Sequence, residues 1–258
     1  MGKFYSEVWQ RRSLIFNFAV TDLKIRYRNS ILGFFWTILE PLLLLAVLYL
    51  VFTNIFRTQI EHFGIYLLLG IIMWNAFTRG TEISLNSIMA RTGLITQIYF
   101  PAEIPAISST ITSSLMMCFE FIVLGIFMVV FRFMPPVTII LLPLVLLLEL
   151  ILVLGLSLPL SVLNIRYRDV QFIWKVIIQV GFFLTPIFYK LSILPESLQN
   201  ILMYSPVVQI FDIAHDIAIY NTVPTLQSIQ IAIATTLLTL GFGYTIFKKA
   251  QKRIIEYL

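Results

Sequence analysis

Three carboxylates, Glu40, Glu120 and Glu149, stand inside long apolar stretches of the chain. An acid in hydrocarbon marks a proton or cation relay when it belongs to a chain of ionisable groups, and a hydrogen-bonded structural group when it does not. Each of these three lacks a basic residue three or four positions away. The hydroxyl runs Ser108-Ser109-Thr110 and Thr112-Ser113-Ser114 are the candidate partners of Glu120. A second set, Asp212, His215 and Asp216, falls at i, i+3 and i+4, a spacing that holds a metal on one helix face. No fourth ligand or second cluster accompanies it, so it reads as a solvated polar face and no metal is expected. The cations of Lys24, Arg26 and Arg28 are close enough to grip a diphosphate, or simply to fix topology. The aromatic residues Phe34, Phe35, Trp36, Trp74, Phe77, Phe182, Phe183, Phe188 and Tyr189 form either interfacial belts or a smooth wall on which sugar rings stack.

The elements that carry these residues are membrane spans. Of the 258 residues, 59% are hydrophobic and 12% charged, against about 25% charged in a soluble domain. Windows of roughly 20 apolar residues fall at about 31–56, 63–84, 104–132, 137–163, 170–189 and 226–247. The second fades near Arg79. With the amino terminus inside, fifteen of the eighteen Lys and Arg lie in inner segments, leaving Arg57, Arg132 and Lys190 outside. The positive-inside rule therefore predicts two cytoplasmic termini, which an even number of spans requires.

The first thirty residues do not read as a signal peptide, which has a short basic segment followed by an apolar one. Val8/Trp9, Ile15/Phe16, Ala19/Val20 and Leu23 recur at helical spacing among basic residues, which predicts an amphipathic helix over 1–30 lying in the headgroup layer. The rest, 31–258, reads as one six-span domain. Two connections are long. That at 85–103, inside, is mixed in polarity and stops at Pro101; that at 190–225, outside, is broken at Pro195 and Pro206 and closed by Pro224. The outer one is too polar to span and too apolar to be a free loop, which predicts an external re-entrant or interfacial hairpin.

The short loops leave no room for a catalytic domain, and no glycine sits in a GxxxxGK[ST] frame, so a P-loop is excluded. No catalytic residue and no cofactor in this chain is expected, and no nucleic-acid partner. Cys118, the single cysteine, excludes an intramolecular disulfide. No internal repeat marks the two halves of a secondary carrier.

Four stretches line up with a known family. Leu32-Gly33-Phe34-Phe35-Trp36 with Glu40-Pro41 matches a Leu-Gly-x-x-Trp-x-x-x-x-Pro approach to the first span. Gly70 and Trp74 are followed by Asn86-Ser87-Ile88, Leu94-Ile95 and Tyr99-Phe100-Pro101. Leu163-Asn164-Ile165-Arg166-Tyr167-Arg168-Asp169 follows the fourth span, and Thr185-Pro186-Ile187-Phe188-Tyr189 precedes Leu194-Pro195 and Pro206. The chain resembles the membrane permease of type-2 ATP-binding-cassette exporters, in the branch that exports lipid-linked O-antigen, capsule and teichoic acid. It departs from the family's pattern at Gln97, where a basic residue is common, and at Ser205, where Asn is frequent.

The resemblance implies a homodimer in the cell membrane bound to two copies of a separate ATPase, which holds ATP and Mg. It implies a coupling segment of Asn86, Ser87, Ile88, Arg91, Leu94, Gln97, Tyr99, Phe100 and Pro101 docked on that ATPase. It implies gate helices in the 190–225 hairpin and a channel lined by the aromatic set. Entry of a lipid-linked glycan is expected near Lys24, Arg26 and Arg28. The rivals are a drug or small-lipid exporter of the same superfamily and a proton-coupled carrier using Glu40, Glu120 or Glu149.

Overall fold

The computed structural model describes residues 9–28, 30–58, 60–93 and 101–251, and the described residues form an all-helical bundle. Helix α1 is Arg12–Arg26. A 3₁₀ turn at Gly33–Phe35 leads into α2, Trp36–Asn54; Gly33 sits at φ +51°, a conformation that glycine takes without steric penalty. Then come α3, Phe63–Ser87, and α4, Glu103–Val130. A 3₁₀ turn at Val137–Leu141 precedes α5, Leu142–Arg166, and α6 is Val170–Leu184. Two short helices follow, α7 over Glu196–Leu202 and α8 over Pro206–His215, the latter unwinding into a π turn at Asp216–Tyr220. The last is α9, Leu226–Gln251.

Among the described residues, five helices are long and apolar enough to cross a membrane: Gly33–Asn54, Phe63–Ser87, Glu103–Val130, Val137–Arg166 and Leu226–Gln251. The expected fifth span, 170–189, differs. Its helix stops at Leu184 after 15 residues, about 22 Å at 1.5 Å per residue, short of the ~30 Å hydrocarbon core. The cause is local. Pro186 disfavours helical backbone at the residue before it, and Thr185 is extended at ψ 140°.

The weakest stretch by hydropathy turns out to be the centre of the bundle. Helix α3 is buried nearly all round, while the other four long helices keep most of their surface exposed. Val47, Leu50, Ile126, Val129, Leu144, Leu238 and Phe242 are among the large apolar side chains left outside, as lipid contact demands and water would not favour. Polar residues near the end of α3 lower its hydropathy but face neighbouring helices. Thr81 accepts from Trp174 Nε1 at 3.0 Å, and Ser84 donates to the Ser157 carbonyl at 3.0 Å.

Close backbone approach fixes α5 against α9. A Cβ on Gly155 would stand 2.8 Å from the Leu240 Cα, and one on Gly243 would collide with the Gly155 carbonyl. Small residues at such a crossing let two helices pack in the absence of a hydrophobic driving force between them. Helix α1 lies against the start of α4, with Ile15 buried on Ile104 and partly buried Ile107 and Ile111 around them.

Candidate functional site

Two cavities open on the sparsely covered side of α2. The first, ≈ 550 Å³, is lined by Arg26, Tyr27, Ser30, Trp36, Glu40 and Leu43. It unites a cation from the expected headgroup cluster, an indole from the expected wall and the first of the three acids. Lys24 and Arg28 are exposed on either side in sequence. The second, ≈ 300 Å³, is lined by Leu44, Trp74, Ile178, Gln179, Phe182 and Phe183. Rings from three helices thus meet along one face, with Phe35, Trp36 and Phe183 the most exposed of the set. The other rings are occupied internally. Phe34 packs edge-on to Phe119 at 4.6 Å and to Tyr27 at 5.5 Å. Phe77 and Phe188 are buried, and Tyr189 gives its hydroxyl to the Phe183 and Leu184 carbonyls. Glu82, which the sequence did not single out, lies within electrostatic reach of Arg26, Glu40 and Lys175.

The three acids separate by environment. Glu40 is exposed at the cavity. Glu120 is not held by the hydroxyl run as expected. Arg79 Nη2 donates to its Oε2 at 2.5 Å, both side chains being buried. Ser108, Ser109, Thr110, Thr112 and Ser114 instead donate to carbonyls one turn back in α4, and Ser113 to the Ala76 carbonyl. Arg79 therefore sits within α3 rather than in a loop. Glu149 is buried, and among the described residues neither of its oxygens has a hydrogen-bond partner.

At the far end of α3 the chain turns through a 3₁₀ segment, Met89–Arg91. Ile88 is buried among Ala106, Leu158, Val162 and Phe247. Arg91 is buried too: Nη2 donates to both carboxylate oxygens of Asp22 in α1 at 2.7 and 2.6 Å, and the guanidinium lies 4.6 Å from the Phe18 ring centroid. Ser87 is buried and gives its hydroxyl to Ser84 O, while Asn86, Met89, Ala90 and Gly93 are exposed. Leu94, Gln97, Tyr99 and Phe100 lie outside the described residues; Pro101 lies two residues before the start of α4 at Glu103.

In the 190–225 connection the stripe of Ile210, Ile213 and Ile217 is buried, as is His215. His215 is not part of a solvated face with Asp212 and Asp216. Its ring stacks on Tyr66 of α3 at 3.7 Å and 10°, with Nε2 at 3.0 Å from the Tyr66 carbonyl oxygen. The Tyr66 hydroxyl donates to the carbonyls of Pro186 and Tyr189. One buried tyrosine thus fastens both the end of the broken fifth stretch and the hairpin. Among the described residues no group of three His, Cys, Asp or Glu is placed to hold a metal.

Residues 14–219 match the family described as ABC-2 type transporter. The chain belongs to the ABC-2 type transporter family. It is a multi-pass membrane permease of the ABC type, the subunit that partners an ATPase. The permease is 28% identical over 238 residues to the O-antigen export system permease protein RfbA of Klebsiella pneumoniae, covering 92% of both chains. It is 27% identical over 258 residues to the RfbA protein of Myxococcus xanthus, covering 99% of both. It is 22% identical over 241 residues to the polysialic acid transport protein KpsM of Escherichia coli, covering 91% of this chain and 92% of that one.

The 190–225 connection carries two groups, His215 and Asp212, whose shifts have opposite pH consequences. Burial pushes His215 down to about 4, so the stability that its neutral form contributes is present above about 6.5 and is lost as pH falls toward 4. Burial and then the Asp216 charge push Asp212 up to about 6, so its contribution is greatest below about 4 and is lost as pH rises through 6. Burial also raises Asp216. In a His215→Phe variant, which keeps a ring on Tyr66, Tm in detergent should rise as pH falls from 7 to 5. In Asp212→Asn it should fall over the same range. Parallel curves for the two variants would show that these groups do not control docking of the hairpin.

Proposed function

We propose that the chain is the permease of an ATP-driven exporter that moves a lipid-linked polysaccharide, such as O-antigen, capsule or teichoic acid, out of the cytoplasm. The observation that carries this reading is the ≈ 550 Å³ cavity in which Arg26, Glu40, Ser30 and the Trp36 indole converge. A cation there meets a phosphate, hydroxyl and carboxylate groups meet sugar hydroxyls, and indole offers a stacking face. The second cavity, with Trp74, Phe182 and Phe183, continues the aromatic face along α2. Relatives named for O-antigen export and polysialic acid transport support the same substrate class.

In this reading the permease is a homodimer in the cell membrane, with both termini cytoplasmic, binding two copies of an ATPase. It crosses six times, the fifth crossing being α6 completed by the non-helical Thr185–Tyr189. Helix α1 lies in the inner headgroup layer, the 85–103 segment couples to the ATPase, and the 190–225 hairpin re-enters and gates the exit. The Arg91–Asp22 link makes α1 move with the coupling turn. Closure of the ATPases on ATP would then reach the entry cavity as rigid-body tilting.

Co-purification with a candidate ATPase subunit, followed by ATP hydrolysis measured with lipid-linked glycans, tests the reading. Glycan-stimulated hydrolysis is expected. Accumulation of solute by the permease alone, driven only by a pH difference across a vesicle, would replace it with the proton-coupled carrier.

A further inference from the structure

At the end of the bundle away from α1 lies an apolar groove of ≈ 600 Å³ that the export reading does not use. Leu42, Leu45 and Tyr49 of α2, Gly64 of α3, Phe127 of α4 and Phe131 just past its end form its walls. Thr58 and His62 stand at its mouth. Arg57 is next in the chain to Thr58, and Arg132 is next to Phe131. These are two of the three Lys and Arg assigned to the outer side. Both are exposed, and among the described residues neither makes an ion pair.

Both arginines also hold left-handed backbone, at φ +48° and +52°, and His62 does so at +50°. Glycine or asparagine occupies that region with less strain. Strained residues of this kind cluster at ligand clamps. The walls offer mainly hydrocarbon and ring edges, which suit an acyl chain. Arg57 and Arg132, each one residue along the chain from a lining residue, put two exposed cations beside the groove, which suit an anion. A molecule with a long apolar tail and a negative head satisfies both, and at this depth the bilayer supplies one.

We infer that this groove is a specific binding site for an anionic phospholipid, one acyl chain lying between α2, α3 and α4 and the phosphate facing Arg57 and Arg132. The site is separate from the Arg26–Trp36–Glu40 cavity, so it stands whether or not that cavity admits a glycan.

The test is native mass spectrometry of the purified permease in mixed micelles with equal phosphatidylglycerol and phosphatidylcholine. Each cation near anionic lipid contributes roughly fivefold in affinity, so about 10- to 30-fold preference for phosphatidylglycerol is expected. Arg57→Gln/Arg132→Gln should abolish the preference without lowering Tm. Gly64→Leu should lower retention of both lipids, because its added side chain starts 3.4 Å from Phe127 and fills the groove. Equal retention of the two lipids by the wild type would overturn the inference, as would a preference that survives loss of both arginines. Displacement of phosphatidylglycerol by equimolar polyprenyl phosphate would assign the groove to an exported carrier lipid and overturn it likewise.

Discussion

Glu120→Ala should lower the permease's Tm in detergent sharply, and Arg79→Ala should do the same. Glu120→Ala leaves the Arg79 guanidinium charge buried in the centre of the bundle, and Arg79→Ala leaves the Glu120 carboxyl there without its donor; both side chains are almost wholly shielded. Breaking a buried pair by removing one member costs about 3–5 kcal/mol, while replacing both by apolar groups of similar volume is often neutral or better. Against a typical total of about 5–15 kcal/mol, the single loss is severe. The double variant Arg79→Met/Glu120→Leu should therefore recover wild-type Tm and yield, measured by fluorescence-detected size exclusion after heating. The same series weighs the carrier against the exporter. A carrier relaying protons through Glu120 would be stable but dead in the double variant, whereas an exporter in which the pair only holds α3 to α4 would still export. Stable single variants would show that the pair does not organise the bundle. Glu149→Leu makes the complementary case: it removes a buried acid with no hydrogen-bond partner among the described residues, so Tm should hold or rise.

The ion pair also shows where one-dimensional reading stops. Long apolar runs are a property of the chain itself, so the starts of α3 at Phe63 and α9 at Leu226 were legible in the sequence. The breaks at Pro195 and Pro206 were legible for the same reason. Partners across helices are not. Arg79 and Glu120 are 41 positions apart, and nothing local links them. Arg79, Thr81 and Ser84 depressed the hydropathy of the very helix that the fold buries most completely. The short α6 was misjudged for the opposite reason. Its apolar run continues through Ile187 and Phe188, but backbone geometry at Thr185-Pro186 ends the helix first. In the candidate site, Arg26, Glu40 and Trp36 were each visible by type, yet only the packing of α1 against the approach to α2 shows that they share a cavity. The stack of His215 on Tyr66 carried one available signal, an i, i+3, i+7 apolar stripe running alongside it through Ile210, Ile213 and Ile217.

Met89→Asp should weaken binding of the ATPase by tenfold or more while leaving insertion and Tm unchanged. The turn after α3 presents Asn86, Met89, Ala90 and Gly93 outward, a spacing of three, four and seven that lies on one face. Ile88 and Arg91, expected among the docking residues, face inward on Phe247 and on Asp22. Interface energy concentrates in a few desolvated apolar or aromatic anchors, and Met89 is the largest apolar side chain on this face. An unpaired carboxylate put in its place would have to be buried against the partner, at a cost exceeding the about 1.4 kcal/mol that a tenfold change requires. Ile88→Asp is the control with the opposite signature. Its charge would enter the cluster of Ala106, Leu158, Val162 and Phe247, so protein should be lost before binding can be measured. Pull-down of the ATPase by each purified variant, beside its melting curve, separates the two effects. Full ATPase retention by Met89→Asp, together with a well-folded Ile88→Asp that binds none, would reverse the assignment of inner and outer faces of this turn.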